Sequence, residues 1–370
     1  MPISSAPPTP LPEAFFSPDY FAARARFRDA AAAAGASLNA LTIPALGPRH
    51  EPLTIDIARL GERDAARVLL HTSGMHGVEA FAGSAVQLAA LQEARQPPPG
   101  CALVLVHVLN PYGMAWLRRA NEHNVDLNRN FLLAGDRWEG APALYPLIDP
   151  LINPPSPPRR DAFRLRLALL ALRYGLRAPR QAIAEGQYEF PQGLFFGGKS
   201  LETGPRLYLQ WLRENLSRAR FVFGIDLHTG LGPHGRSTVI LEPGVNVSPP
   251  VELARALGKP LTDPAGGQAF YRARGTLGRA LRQALPAARL DFVLQEIGTY
   301  SSPRVLEALR DENRCHLHSR PADSRHPAKL ALLEALCPPS ATWRRRAVGH
   351  GLDLLRAAAS RAFLAHNALA

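Results

Sequence analysis

The stretch from Arg67 to Leu91 constrains the fold of this 370-residue chain more than any other. Arg67-Val-Leu-Leu-His-Thr-Ser73 is an apolar run of strand length, closed by polar residues and then by Gly74. Such a run reads as a buried strand. Gly74 and Gly77 allow a sharp turn, and Ala80–Leu91 is rich in good helix formers. Ala102–Leu109, Arg220–Asp226 and Leu290–Glu296 are further apolar runs, and Leu41–Ile57 and the region of Thr238 supply more strand. Helical segments, beginning with Tyr20–Ala34, lie between them. Strands alternating with helices predict an α/β domain on a central sheet.

Chemistry gathers at the predicted strand ends. His76 and Glu79 stand three apart at a strand-to-helix junction, and His228 follows the strand that ends at Asp226. Open α/β sheets place their sites at such ends. Two histidines and one carboxylate form a catalytic zinc sphere, with three protein ligands and a fourth position kept open. The set points to metal-assisted hydrolysis. Taken singly, His-x-x-Glu is a common pattern of solvated helix faces, and His228 an ordinary strand-end histidine. It is their joint placement that points to a metal. Glu296 ends another strand, where a carboxylate beside a metal can act as a general base; the plainer reading is a solvated strand cap. Arg118, Arg119 and Arg129, each read alone, are surface charge in an arginine-rich chain.

In chain order, His76-x-x-Glu79, Asn110-Pro-Tyr-Gly113, Trp116–Asn121, Asp126-Leu-Asn-Arg-Asn-Phe131, Asp226-Leu-His-Thr229 and Glu296 resemble the motif series of the zinc carboxypeptidases, and within that superfamily a little-characterised bacterial group of carboxypeptidase-like metallopeptidases. The wording around His76 and His228 is also similar to the aspartoacylase and succinylglutamate desuccinylase branch. The resemblance spans Gly74 to Tyr300. It implies a zinc-carboxypeptidase-like α/β fold with a mixed central sheet flanked by helices on both faces. It implies one Zn2+ per chain held by His76, Glu79 and His228, with Glu296 as the general base toward the activated water and then the leaving amine. Arg119 would help polarise the scissile carbonyl, with Arg118 as the one-residue alternative, and Asn128 and Arg129 would bind a substrate carboxylate. A planar guanidinium grips a carboxylate through two parallel bonds. Two departures stand out: Tyr271 matches the family's mobile tyrosine too poorly to be assigned, and Val78 replaces the asparagine common in the deacylase branch.

The expected activity is therefore zinc-dependent hydrolysis of an amide bond next to a free carboxylate, on a peptide as a carboxypeptidase would. The alternatives are an N-acyl-amino-acid deacylase using the same chemistry, and a catalytically silent binding protein on the same fold. Gly193-Leu-Phe-Phe-Gly-Gly-Lys199-Ser200 imitates a phosphate loop but lacks an apolar strand before it, and its bulky Leu194, Phe195 and Phe196 would block amides from wrapping phosphate. It reads instead as a wall of the substrate cleft.

A net charge of +12 favours acidic substrates or polymers, yet no long basic run accompanies it, so no nucleic-acid partner is expected. Cys101, Cys315 and Cys337 are too few and too irregular for a disulfide framework, and Cys315-His-Leu-His318 reads as a surface or helix-end feature. No signal-peptide pattern and no long apolar span appears, so a cytoplasmic protein without a membrane partner is expected. The organisation expected is a disordered tail over 1–12 and one zinc-hydrolase domain over 13–370, with a helical insertion near 153–218 and a terminal helix near 343–368. Within the insertion, Phe163–Leu176 predicts an amphipathic helix whose apolar stripe meets the core or another subunit.

Overall fold

Four apolar runs form the middle of an eight-stranded sheet. A computed structural model describes residues 11–263, 272–319 and 325–364. Its strands are β1 (Ser37–Leu46), β2 (Pro52–Gly61), β3 (Arg67–Ser73), β4 (Cys101–His107), β5 (Phe221–Gly230), β6 (Ser237–Leu241), β7 (Leu261–Thr262) and β8 (Arg289–Gly298). They lie in the order β1-β2-β4-β3-β5-β8-β6-β7. The central β4, β3, β5 and β8 are parallel, while β1, β2 and β6 pair antiparallel to their inner neighbours. The sheet is therefore mixed. Every residue of β3 and β5 is buried, which is why both read as unbroken apolar runs rather than as alternating patterns.

The helices are α1 (Tyr20–Ala33), α2 (Ala80–Glu93), α3 (Pro111–Ala115), α4 (Tyr145–Ile152), α5 (Phe163–Tyr174), α6 (Arg177–Ala184), α7 (Thr203–Asn215), α8 (Pro250–Leu257), α9 (Leu277–Ala284), α10 (Ser302–His318), α11 (Pro327–Leu336) and α12 (Ala341–Leu364). Helices α1, α2 and α12 form one flanking layer, with α12 lying along β3 and β5; α7 meets β1 and α9, and α9 meets β8. Tyr208 and Leu212 of α7 belong to the main core with Val68, Leu70, Phe223 and Phe292. A smaller core gathers Tyr145, Ile148, Phe163 and Ile183 against Leu309 and Leu332 of α10 and α11. Among the described residues no helix is long and apolar enough to cross a membrane.

Several local departures have physical causes. The segment read as Leu41–Ile57 is a hairpin, β1 and β2, turning over Gly47–Glu51, where Gly47 N donates to the Glu51 carbonyl. Strand β4 stops at His107 because Asn110 caps α3, accepting from Gly113 N at 2.8 Å, with Pro111 at its first turn. Strand β5 runs on to Gly230, paired throughout with β8, so His228 lies inside the strand instead of beyond its end. Cys315 is buried in the last turn of α10, not at the surface, and all three cysteines are free. Residues 1–10 of the expected tail and 365–368 of the expected terminal helix lie outside the described residues, and Pro12 already opens a short helical turn to Phe15.

The turn after β3 needs glycine twice, for different reasons. Gly74 takes a positive φ of 68°, which side chains disfavour. Gly77 does not; a Cβ there would lie 2.0 Å from the Gly113 carbonyl carbon. The absent side chain lets the α3 loop pack directly on the turn that carries His76 and Glu79.

Candidate metal centre and substrate cavity

The carboxyl ends of β3, β5 and β8 converge. His76 leaves β3, Glu79 closes a single helical turn (Gly77–Glu79) before α2, and His228 pairs with Glu296 in register across β5 and β8. His76 Nδ1 lies 2.9 Å from Glu79 Oε1, His228 Nδ1 lies 3.2 Å from Glu79 Oε2, and the two Nδ1 atoms are 3.2 Å apart. All three side chains are buried. Thr229 N also donates to Glu79 Oε2, at 3.1 Å.

The outer nitrogens of both rings are spoken for. His76 Nε2 meets Asp126 Oδ1 at 3.1 Å, and His228 Nε2 meets Asp226 Oδ2 at 2.8 Å. A carboxylate on the far nitrogen fixes the ring and its tautomer, presenting the near nitrogen as a ligand. Here both near nitrogens are Nδ1 and both face the same carboxylate. The donor set suits a divalent ion such as zinc: two imidazoles and one carboxylate, each offering one atom within 4.8 Å of the others.

Electrostatics agree with a cation site. Burial alone would raise Glu79, but the His76 charge, hydrogen bonds from both histidines and nearby Arg119 hold it low. Burial also opposes the ionised form of Asp126, yet Arg119, His76 and Arg129 keep it well below the usual carboxylate range. Burial disfavours a charged His228, and Asp226 and Glu79 overcome this, raising it well above its ordinary value. A metal entering there must displace protons, so metal affinity falls as the pH is lowered. Replacing Asp226 with Asn, which keeps the shape and loses the charge, is expected to weaken metal affinity by about 10- to 100-fold. Chelator competition measures this, with Asp64→Asn on the exposed surface as the control.

Glu296 opens into a cavity of about 820 Å³ that it shares with His76, Glu79 and His228. Loss of bulk hydration pushes its carboxyl up to about 7, with His228 pulling it down and Glu79 pushing it further up. Its Oε2 accepts from Leu231 N at 3.4 Å. Arg119, Asn128 and Arg129 line the same cavity. Arg119 donates to Glu79 Oε1 at 3.0 Å and to Asp126 Oδ2 at 3.1 Å. Arg129 is braced by the Ala184 and Asn128 carbonyls. Arg118 turns the other way, to Glu312, Asn124 and Asn313, and does not reach the cavity.

Two features escaped the sequence reading. Asp126 and Asp226 sat in quoted motifs without a role; the two-residue step from Asp226 to His228, which puts both on one face of a strand, was the available signal. Phe195, in the loop expected to wall the substrate cleft, lines the cavity beneath Arg119 and Arg129, whose guanidinium carbons lie 5.1 and 5.7 Å from its ring centre. Its φ of 58° is strained for an aromatic residue, as residues at binding sites often are. Glu242 caps the start of α9 by accepting from Gly278 and Arg279 amides. The phosphate-loop imitation is excluded by its contacts: Lys199 Nζ donates to the Tyr188 carbonyl and the Gly197 carbonyl accepts from Asn130. Tyr271 lies outside the described residues.

Residues 16–350 match the sequence profile of a family described as proteins of unknown function, DUF2817, and the chain belongs to that family. No curated protein matches it in sequence. Among solved structures, it is similar to carboxypeptidase A from Helicoverpa armigera, at 16% identity and a TM-score of 0.46, covering 93% of this chain and 74% of the other. It is also similar to the murein-tripeptide amidase MpaA from Escherichia coli O157, at 18% identity and a TM-score of 0.39 over 76% and 92% of the two chains. A third is bovine thrombin-activatable fibrinolysis inhibitor, solved with a tick carboxypeptidase inhibitor, at 11% identity and a TM-score of 0.44 over 90% and 97%.

Proposed function

We propose that the protein is a zinc-dependent hydrolase that cleaves an amide bond next to a free carboxylate, in the manner of a carboxypeptidase. The observation that carries this reading is the convergence of two carboxylate-oriented histidines and Glu79 on one point of a cavity that also holds Glu296. His76, Glu79 and His228 would hold the ion, and bound zinc supplies Lewis acidity there. Glu296, with its carboxyl near 7, is suited to accept a proton at neutral pH and return it to a departing amine. Arg119, fixed by Glu79 and Asp126, would face charge developing on the scissile carbonyl oxygen. Asn128 and Arg129 would hold the substrate carboxylate.

The second reading, an N-acyl-amino-acid deacylase, draws on the apolar wall of the cavity, where Leu167, Ile183, Val305, Leu306 and Leu309 leave room for an acyl group. A panel of peptides and N-acyl amino acids, each with a free and an amidated terminus, tests the proposal. Free-carboxylate substrates should be preferred, and Arg129→Ala should remove most of that preference through KM, by about 10-fold or more for a charge-assisted pair. Equal turnover of free and amidated substrates would contradict it. Preference for peptides or for acyl amino acids decides between the two readings.

A further inference from the structure

Helix α5 is apolar on both sides. Phe163, Leu167 and Leu170 pack into the smaller core beside the cavity. At about 100° per residue, Leu165, Leu169 and Leu172 fall together on the opposite face. They are 63%, 56% and 84% exposed, and Leu176, just past the helix, is 79% exposed. Together they form the densest group of exposed large apolar side chains among the described residues. The stripe expected to meet the core is thus split, its inner half packed and its outer half in solvent.

Charge identifies what covers the outer half. From 159 to 180 the chain carries Arg159, Arg160, Arg164, Arg166, Arg173, Arg177 and Arg180, with Asp161 as the single acidic residue. Asp161 is held inward by Arg310 and Arg314. On the helix, Arg166 and Arg173 flank the leucine face on one side, while on the other Arg164 is paired with Glu307 of α10 at 2.7 Å. A second copy of the chain would bring like charge against like. A nucleic acid offers anions but no apolar depth for leucines. A bilayer of anionic lipid offers both, since leucines enter the acyl boundary while flanking arginines reach the headgroups.

We infer that the outer face of α5 docks the protein on anionic membrane surfaces, lying on the bilayer without crossing it. Leu167 and Ala171 line the cavity from the inner side of the same helix, so docking leaves α5 between the lipid and the cavity. The inference stands independently of the hydrolase reading.

Flotation of the purified full chain with phosphatidylglycerol–phosphatidylcholine vesicles, against phosphatidylcholine alone, tests it. Wild type should float with the anionic vesicles only, and added salt should weaken the binding. A Leu165→Gln, Leu169→Gln, Leu172→Gln variant should lose about 10-fold or more of the binding while keeping its unfolding temperature, since these side chains support no core. Arg166→Gln with Arg173→Gln should reduce binding without touching the leucines. No flotation of wild type, or equal flotation of the leucine variant, would overturn the inference. So would a wild-type dimer that the leucine variant dissolves in the absence of vesicle binding.

Discussion

Glu296→Gln is expected to lower kcat by about 10²- to 10⁴-fold while leaving metal content unchanged. The substitution keeps the size of the side chain and its acceptor oxygen toward Leu231 N, but removes the only state able to take up a proton. Glu296 is not among the three clustered ligand side chains, so the metal should remain. Stability should hold as well. Burial already disfavours the charged carboxyl, pushing it up to about 7, and a neutral amide escapes that penalty. Steady-state kinetics on the preferred substrate, with metal analysis of the same preparation, reads both effects. A variant within a few-fold of wild type would assign proton transfer elsewhere.

Glu312→Ala is expected to cost about 3–5 kcal/mol of stability. Glu312 Oε1 accepts from Arg118 Nε at 2.9 Å and from Lys329 Nζ at 2.9 Å, and all three side chains are buried. Lys329 Nζ also donates to the Trp116 carbonyl at 2.7 Å. Removing the carboxylate leaves two cations in the interior without their common partner. Burial alone would raise Glu312, but Arg118 and Lys329 hold it below its ordinary value. A lowered folded pKa means this stabilisation is complete above the unfolded carboxyl's pKa and is lost as the pH falls through the folded value. Denaturant unfolding at neutral pH should therefore show the full difference between variant and wild type, and the gap should narrow under acid. A loss below about 1 kcal/mol would mark the cluster as no better than a surface ion pair. The loop it anchors matters to the site: Val78 N and Gly77 N donate to the carbonyls of Arg118 and Arg119. Destabilising the clamp should therefore weaken metal retention too.

What could be read from the sequence follows burial. β3, β5 and β8 were legible because central parallel strands are covered on both faces and show as apolar runs. The hairpin of β1 and β2 merged into one segment because its turn is only a few residues long. His76, Glu79 and His228 were legible as a set through residue type and position at strand ends. Their supports were not: Asp126 reaches His76 across 50 residues of chain, a relation that exists only after folding. The resemblance preferred Arg119 to Arg118, but the physical reason exists only after folding. The two are neighbours sent in opposite directions, one to Glu312 and one to Glu79, by contacts up to 194 residues distant. In the same way α5 reads as apolar at many positions, and only the packing shows that three of its five leucines face outward.

Metal analysis of purified wild type and His228→Ala, each after zinc loading at neutral pH and removal of excess, tests the central claim most directly. His228 supplies one of the inward Nδ1 atoms, and its loss leaves His76 and Glu79 alone, too few ligands for a stable site. The expected result is about one zinc per chain in wild type and almost none in the variant. No zinc in wild type, or equal zinc in both, would contradict a metal centre at His76, Glu79 and His228 and with it the proposed hydrolysis.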